Sequence, residues 1–199
     1  MRVQVPGPGG LARRADKACY AQPLANGPGA ASLVIGIGNP LRGDDGIGWR
    51  LAAQLPAGSG LGVRCRQQLT PELAEELAAV ERVLFLDAWL EPSSALPRPR
   101  LLKLQELGAP DGPGRSLQVW AGATPWGGAS HGLSPPVLLA LSQALYGRSP
   151  RAHQLLLPAH RCGHGEGISP GLARRLGEAR RLIEAWVAAG SALQGGGHA

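Results

Sequence analysis

Two acids stand side by side at Asp44 and Asp45, inside the run Gly36-Ile-Gly-Asn-Pro-Leu-Arg-Gly-Asp-Asp-Gly-Ile-Gly48. A third acid, Asp87, directly follows the apolar run Val83-Leu84-Phe85-Leu86, and His131 follows a Gly-rich stretch. Two carboxylate oxygens and one imidazole nitrogen suit a divalent transition metal and leave coordination positions open. The carboxylates of Asp44, Asp45 and Asp87 can also take a proton from water. Each residue has a purely structural reading as well. Asp44 or Asp45 can cap a following helix and favour its positive end. Asp87 can end a strand in a turn, although a carboxylate there costs burial energy unless partnered. A lone loop histidine such as His131 is commonly polar surface. Gly36 and Gly38 fit the start of a dinucleotide fingerprint, but its third position is Leu41, and the paired acids repel phosphates.

A second group, His160, Cys162 and His164 with Glu166 beyond, alternates like metal ligands on an extended strand. Pro158 and Gly163 argue for a loop there, so turn residues or a substrate-facing loop are the competing readings. Trp120 and Trp126 lie in a long Gly/Pro-rich stretch, where they either pack locally or grip a substrate. Cys19, Cys65 and Cys162 are odd in number and far apart, without a C-x-x-C pair. That spacing argues against a disulfide framework or zinc ribbon and for a reducing cytosol. Cys65 reads as a small core hydrophobe.

The formal charge of +6 is carried almost entirely by arginine, with Lys17 and Lys103 the two lysines. Half of that excess falls within residues 1–31. With 4% aromatic residues and no basic stripe interleaved with aromatics, nucleic-acid binding is not expected. No apolar run approaches ~18 residues, so no membrane span is expected. Arg13-Arg14 is followed by Asp16-Lys17 and not by the apolar segment of an export signal, so the expected location is cytoplasmic.

The elements that must position these residues alternate in type. Ser32–Ile37 is a continuous apolar run, the pattern of a strand buried on both faces. Helical spacing follows over Gly46–Leu55, then a short strand at Val63–Gln67. Thr70-Pro71 opens a helix to about Val80. Arg82–Asp87 is a second buried strand. Residues 99–104 read as a strand reached by a link too short for a helix, hence antiparallel. Leu133–Tyr146 reads as a helix with Pro135 and Pro136 in its first turn. Ala152–Leu157 is a strand, and Ser169–Ala189 is the last helix, capped by Ser169. The order predicts a mostly parallel sheet with helices on both faces. The expected organisation is a flexible extension at 1–31, a single α/β domain at 32–189 and a flexible tail at 190–199.

On the Gly36–Gly48 run, Phe85-Leu86-Asp87-Ala88, Ser130-His131-Gly132-Leu133 and Gly163–Pro170, the chain resembles the endopeptidases that mature [NiFe] hydrogenases, over about residues 32–189. The resemblance implies a three-layer α/β/α fold around a five-stranded mixed sheet with one antiparallel strand. It implies an aspartic or metal-assisted hydrolase that removes the C-terminal extension of a [NiFe]-hydrogenase large-subunit precursor. Nickel arrives within the substrate, or another divalent metal takes its place, and serves as the recognition element. The implied metal contacts are Asp45, Asp87 and His131. The first of these is often glutamate in relatives, so this chain reaches one methylene less far. Asp44 joins Asp45 and Asp87 as a candidate base, and Asn39, Gly132 and His164 are candidate substrate contacts. A monomer is expected. The alternative is a non-proteolytic nickel-sensing assembly factor for the same subunit.

Overall fold

The computed structural model describes residues 32–56, 58, 60–90, 103–107 and 133–195. Five strands form one sheet: β1 (Ser32–Ile37), β2 (Leu61–Arg66), β3 (Arg82–Leu90), β4 (Lys103–Leu107) and β5 (Arg151–Ala159). Their order is β2-β1-β3-β5-β4. The pairs β1–β2, β1–β3 and β3–β5 are parallel, and β4 pairs antiparallel with β5 at the edge. The helices are α1 (Ile47–Ala52), α2 (Leu73–Ala78), α3 (Pro135–Tyr146), α4 (Pro170–Ala173) and α5 (Leu176–Gly195).

Alternation along the central strands divides the core into two layers. Val34, Leu84 and Leu86 pack with Ile47, Trp49 and Leu51 of α1, Leu172 of α4, and Ile183 and Trp186 of α5. Leu33, Ile35, Val83 and Phe85 pack on the other face with Leu73 and Leu77 of α2 and Leu138 and Leu139 of α3. The result is the three-layer α/β/α sandwich with one antiparallel strand that the resemblance implied.

Ser142 fastens α3 to its surroundings. Its fully buried hydroxyl lies 3.0 Å from the Ala74 carbonyl of α2 and 2.9 Å from the Arg148 carbonyl. Ser142→Ala is expected to cost about 1–2 kcal/mol by stranding buried acceptors, read as a lower urea midpoint with an unchanged m-value.

Several boundaries differ from the sequence expectation. β3 continues past Asp87 to Leu90, and β5 runs on through Pro158, which pairs with Trp89. Among the described residues β4 reaches β5 only as far as Leu156, and beyond it no described strand on that edge asks Pro158 for a donor. The antiparallel strand is present, displaced to Lys103–Leu107. The last helix is broken between Ala173 and Leu176 and runs to Gly195, past its expected end. Ser169 does cap it, accepting a hydrogen bond from the Leu172 amide at 3.3 Å. Cys65 is buried as expected, but it is also disulfide-bonded, with a partner outside the described residues. Sequence spacing cannot reveal a pairing between distant cysteines. Cys162 is a free thiol.

Candidate active site

The chain leaves β1 toward β2 through α1 on one face and leaves β2 toward β3 through α2 on the other. This reversal opens a crevice between the carboxyl ends of β1 and β3, the place where open α/β sheets bind ligands. Asp45 lies just past the end of β1, in the 3-10 turn Gly43–Gly46. Asp87 lies near the end of β3, opposite Leu156 of β5. The crossover topology therefore brings these two acids, 42 positions apart in sequence, to one rim.

Glycines let the turn approach the sheet. Gly38 has φ 120°, and a Cβ there would lie 1.8 Å from the Asp45 carbonyl oxygen. Gly48 of α1 abuts the sheet so closely that a Cβ would lie 2.2 Å from the Leu86 carbonyl oxygen and 2.6 Å from that of Ile37. Only hydrogen fits at either position. The Asp45 carboxylate is then pinned by the Asn39 amide, which donates to Oδ2 at 3.1 Å.

Asp87 keeps part of its surface accessible, yet its carboxyl is strongly desolvated. Burial pushes its pKa up to about 7, the Ala88 amide bound to Oδ1 at 2.8 Å opposes this, and the charge of Asp45 adds to the rise. A carboxyl so poised can bind or release a proton at neutral pH, and a cation between it and Asp45 would relieve the repulsion.

Asp44 differs from its neighbour. It is fully buried, and both its oxygens are occupied. Oδ1 accepts from the Ser169 amide at 2.7 Å, and Oδ2 accepts from the His160 and Arg161 amides at 2.8 and 3.2 Å. Burial alone would raise its pKa, but the bonds from Ser169, His160 and Arg161 outweigh that and hold it below the ordinary value. Asp44 was expected as a candidate base; its two oxygens accept three backbone amides, which tie the carboxylate to residues 160–169.

Asn39 also has a local role. Its Oδ1 accepts from the Leu41 amide at 2.9 Å, closing an Asx turn. Its side-chain Nδ2 remains the part available to a substrate. His164 is exposed in the segment after β5, which leans on the first loop through Gly165 N–H to the Leu41 carbonyl at 2.8 Å. His131, Gly132, Trp120 and Trp126 lie outside the described residues. Among the described residues no group of three His, Cys, Asp or Glu side chains is placed to hold a metal, so His160, Cys162 and His164 do not form a separate centre. Asp45 and Asp87 are the two members of the expected donor set that lie among the described residues.

Cys162 is the residue whose place the sequence did not indicate. Burial raises its thiol pKa, the charges of Asp45 and Asp44 raise it further, and an Asp45 amide bond works against them. It therefore sits beside the first acidic turn as a neutral thiol.

The sequence matches no family model and no curated protein. The fold is shared with solved structures. The hydrogenase 2 maturation peptidase of a Thaumarchaeota archaeon is 21% identical at a TM-score of 0.54, over 79% of this chain and 97% of that one. The [NiFe] hydrogenase maturation protease HycI of Thermococcus kodakarensis is 19% identical at 0.52, over 78% of this chain and 89% of that one. The hydrogenase maturating endopeptidase HybD of E. coli is 17% identical at 0.52, over 78% and 91%.

Proposed function

We propose that the protein is an endopeptidase that removes the C-terminal extension of a [NiFe]-hydrogenase large-subunit precursor, acting as a monomer and reading the nickel held by that substrate. The observation that carries this is the pair Asp45 and Asp87, the first in the turn beyond β1 and the second on the adjacent parallel β3 at the crossover crevice, with one carboxyl pushed up to about 7. The fold shared with hydrogenase maturation peptidases supports this choice of substrate class. Among the described residues no helix is long and apolar enough to cross a membrane.

The chain's own contribution is positioning and proton transfer. Asp45, pinned by the Asn39 amide, offers a fixed oxygen to the substrate's cation, and His131 is the proposed third contact. Asp87 has one oxygen on the Ala88 amide, while the other has no hydrogen-bond partner among the described residues. That oxygen can take the proton from an attacking water and return it to the leaving amine. A cation held there by Asp45 would supply polarisation of the scissile carbonyl.

Intact-mass measurement of a nickel-loaded precursor tests the proposal. The expected result is loss of one C-terminal peptide on addition of the protein. Asp45→Asn is expected to slow that loss by about a hundredfold or more. Tight binding with no cleavage would sink the proposal and favour the assembly-factor reading.

A further inference from the structure

The segment from His160 to Ser169 lies at the rim of the crevice without regular secondary structure, and most of its side chains are exposed. Its backbone is nonetheless tied to the acidic turn at several points. Three of its amides end on the Asp44 carboxylate. The Asp44 amide donates back to the Arg161 carbonyl at 2.8 Å, and the Gly165 amide donates to the Leu41 carbonyl at 2.8 Å. Arg42 Nε donates to the Cys162 carbonyl at 3.2 Å. Glu166 closes the segment on itself, its Oε2 accepting from the Gly163 amide at 2.8 Å.

A buried carboxylate is costly unless hydrogen-bonded, and both Asp44 oxygens accept from a segment more than a hundred residues away in sequence. The same turn carries Asp45. The Asp44 carboxylate therefore fixes one geometric relation: where segment 160–169 stands relative to Asp45. Leu41, 60% exposed, and the exposed Arg42 lie on the same rim.

The geometry points to Asp44 as a positioning residue that joins segment 160–169 and the Leu41–Arg42 loop into one rigid lip, against which the substrate polypeptide is held beside Asp45. This rests on the endopeptidase reading above and extends it to how the substrate chain is gripped. The occupant is an extended stretch of the precursor next to its cleaved bond. The exposed lip presents the apolar Leu41 with Arg42, Arg161 and His164.

Asp44→Asn is close in shape but puts an NH2 group against amide donors. Two readouts are needed. In the unaltered protein the amide protons of His160, Arg161 and Ser169 are expected to exchange slowly despite the irregular backbone, and in Asp44→Asn they are expected to lose that protection while strand amides keep theirs. With the full nickel-loaded precursor, Asp44→Asn is expected to raise KM by about tenfold and lower kcat by no more than about threefold. The exposed Arg42→Ala, which loosens the lip from outside the core, is expected to raise KM by about threefold with kcat unchanged, so the test stands if Asp44→Asn fails to fold. Unprotected amides in the unaltered protein overturn the proposal. So does a loss carried mainly by kcat, which would return Asp44 to the chemistry, and so does unchanged KM in both variants. If the unaltered protein leaves the precursor uncut, the endopeptidase reading falls, while the exchange data still decide the clamp.

Discussion

Asp87→Asn is expected to abolish processing and, at the same time, to stabilise the fold at neutral and alkaline pH. The first effect follows from loss of the oxygen that takes the proton, worth about a thousandfold in rate. The second follows from linkage. Burial pushes the Asp87 carboxyl up to about 7 in the folded chain from an ordinary value of 3.8. Its folded value is the higher one, so the folded state holds the proton longer than the unfolded state does. The stability this provides is complete below pH 3.8 and is lost as pH rises toward 7. A shift of that size corresponds to at most about 4 kcal/mol. Asparagine carries no charge to desolvate, so it should recover roughly half of this above pH 7 and almost none at pH 4. Urea unfolding of both proteins across that range reads the difference. Equal stabilities at pH 8 would show that Asp87 is not desolvated, and undiminished processing would remove it from the chemistry.

Gly48→Ala is the second large effect, and its sign is the informative part. Alanine in place of an interior helical glycine ordinarily stabilises by about 1 kcal/mol. Here the added methyl would lie 2.2 Å from one strand carbonyl oxygen and 2.6 Å from another, and neither is a flexible side chain. Helix α1 must then move off the sheet, carrying the acidic turn with it. We expect a destabilisation of about 3–5 kcal/mol and loss of processing through displacement of Asp45 relative to Asp87. Chemical denaturation measures the first, and the precursor assay measures the second. A variant more stable than its parent would show that α1 does not press on β1 and β3 as described.

The parts of this architecture legible in the sequence are those where one physical demand dominates. Ser32–Ile37 had to be a buried strand because an uninterrupted apolar run of that length has no other comfortable place. Ser169-Pro170 announced a helix start because a hydroxyl cap followed by proline fits the first turn. Asp45 and Asp87 were legible as a pair because each comes after a continuous apolar run, and the βαβ order sends the ends of both runs to one rim. Harder features depend on contacts across the chain. Asp44 and Asp45 are chemically identical neighbours. Only the return of residues 160–169 to the turn separates a clamp from a site group. The continuation of β3 to Leu90 and of β5 through Pro158 depends on each strand offering the other a partner, which local composition does not record. The break between α4 and α5 likewise leaves no glycine or proline signal inside Ala173–Leu176.

Because Asp87 stands in the β3–β5 ladder and Asp45 in a turn packed closely on Gly38 beyond β1, the spacing of the acids does not draw on the exposed side chains of the rim. The two properties are separable. A family of variants with foreign sequence grafted between Arg161 and Ser169 would keep the reacting groups in place while exchanging the surface that selects a client protein. Provided the three amides still meet the Asp44 carboxylate, the scaffold is open to retargeting by interchange of a single short stretch.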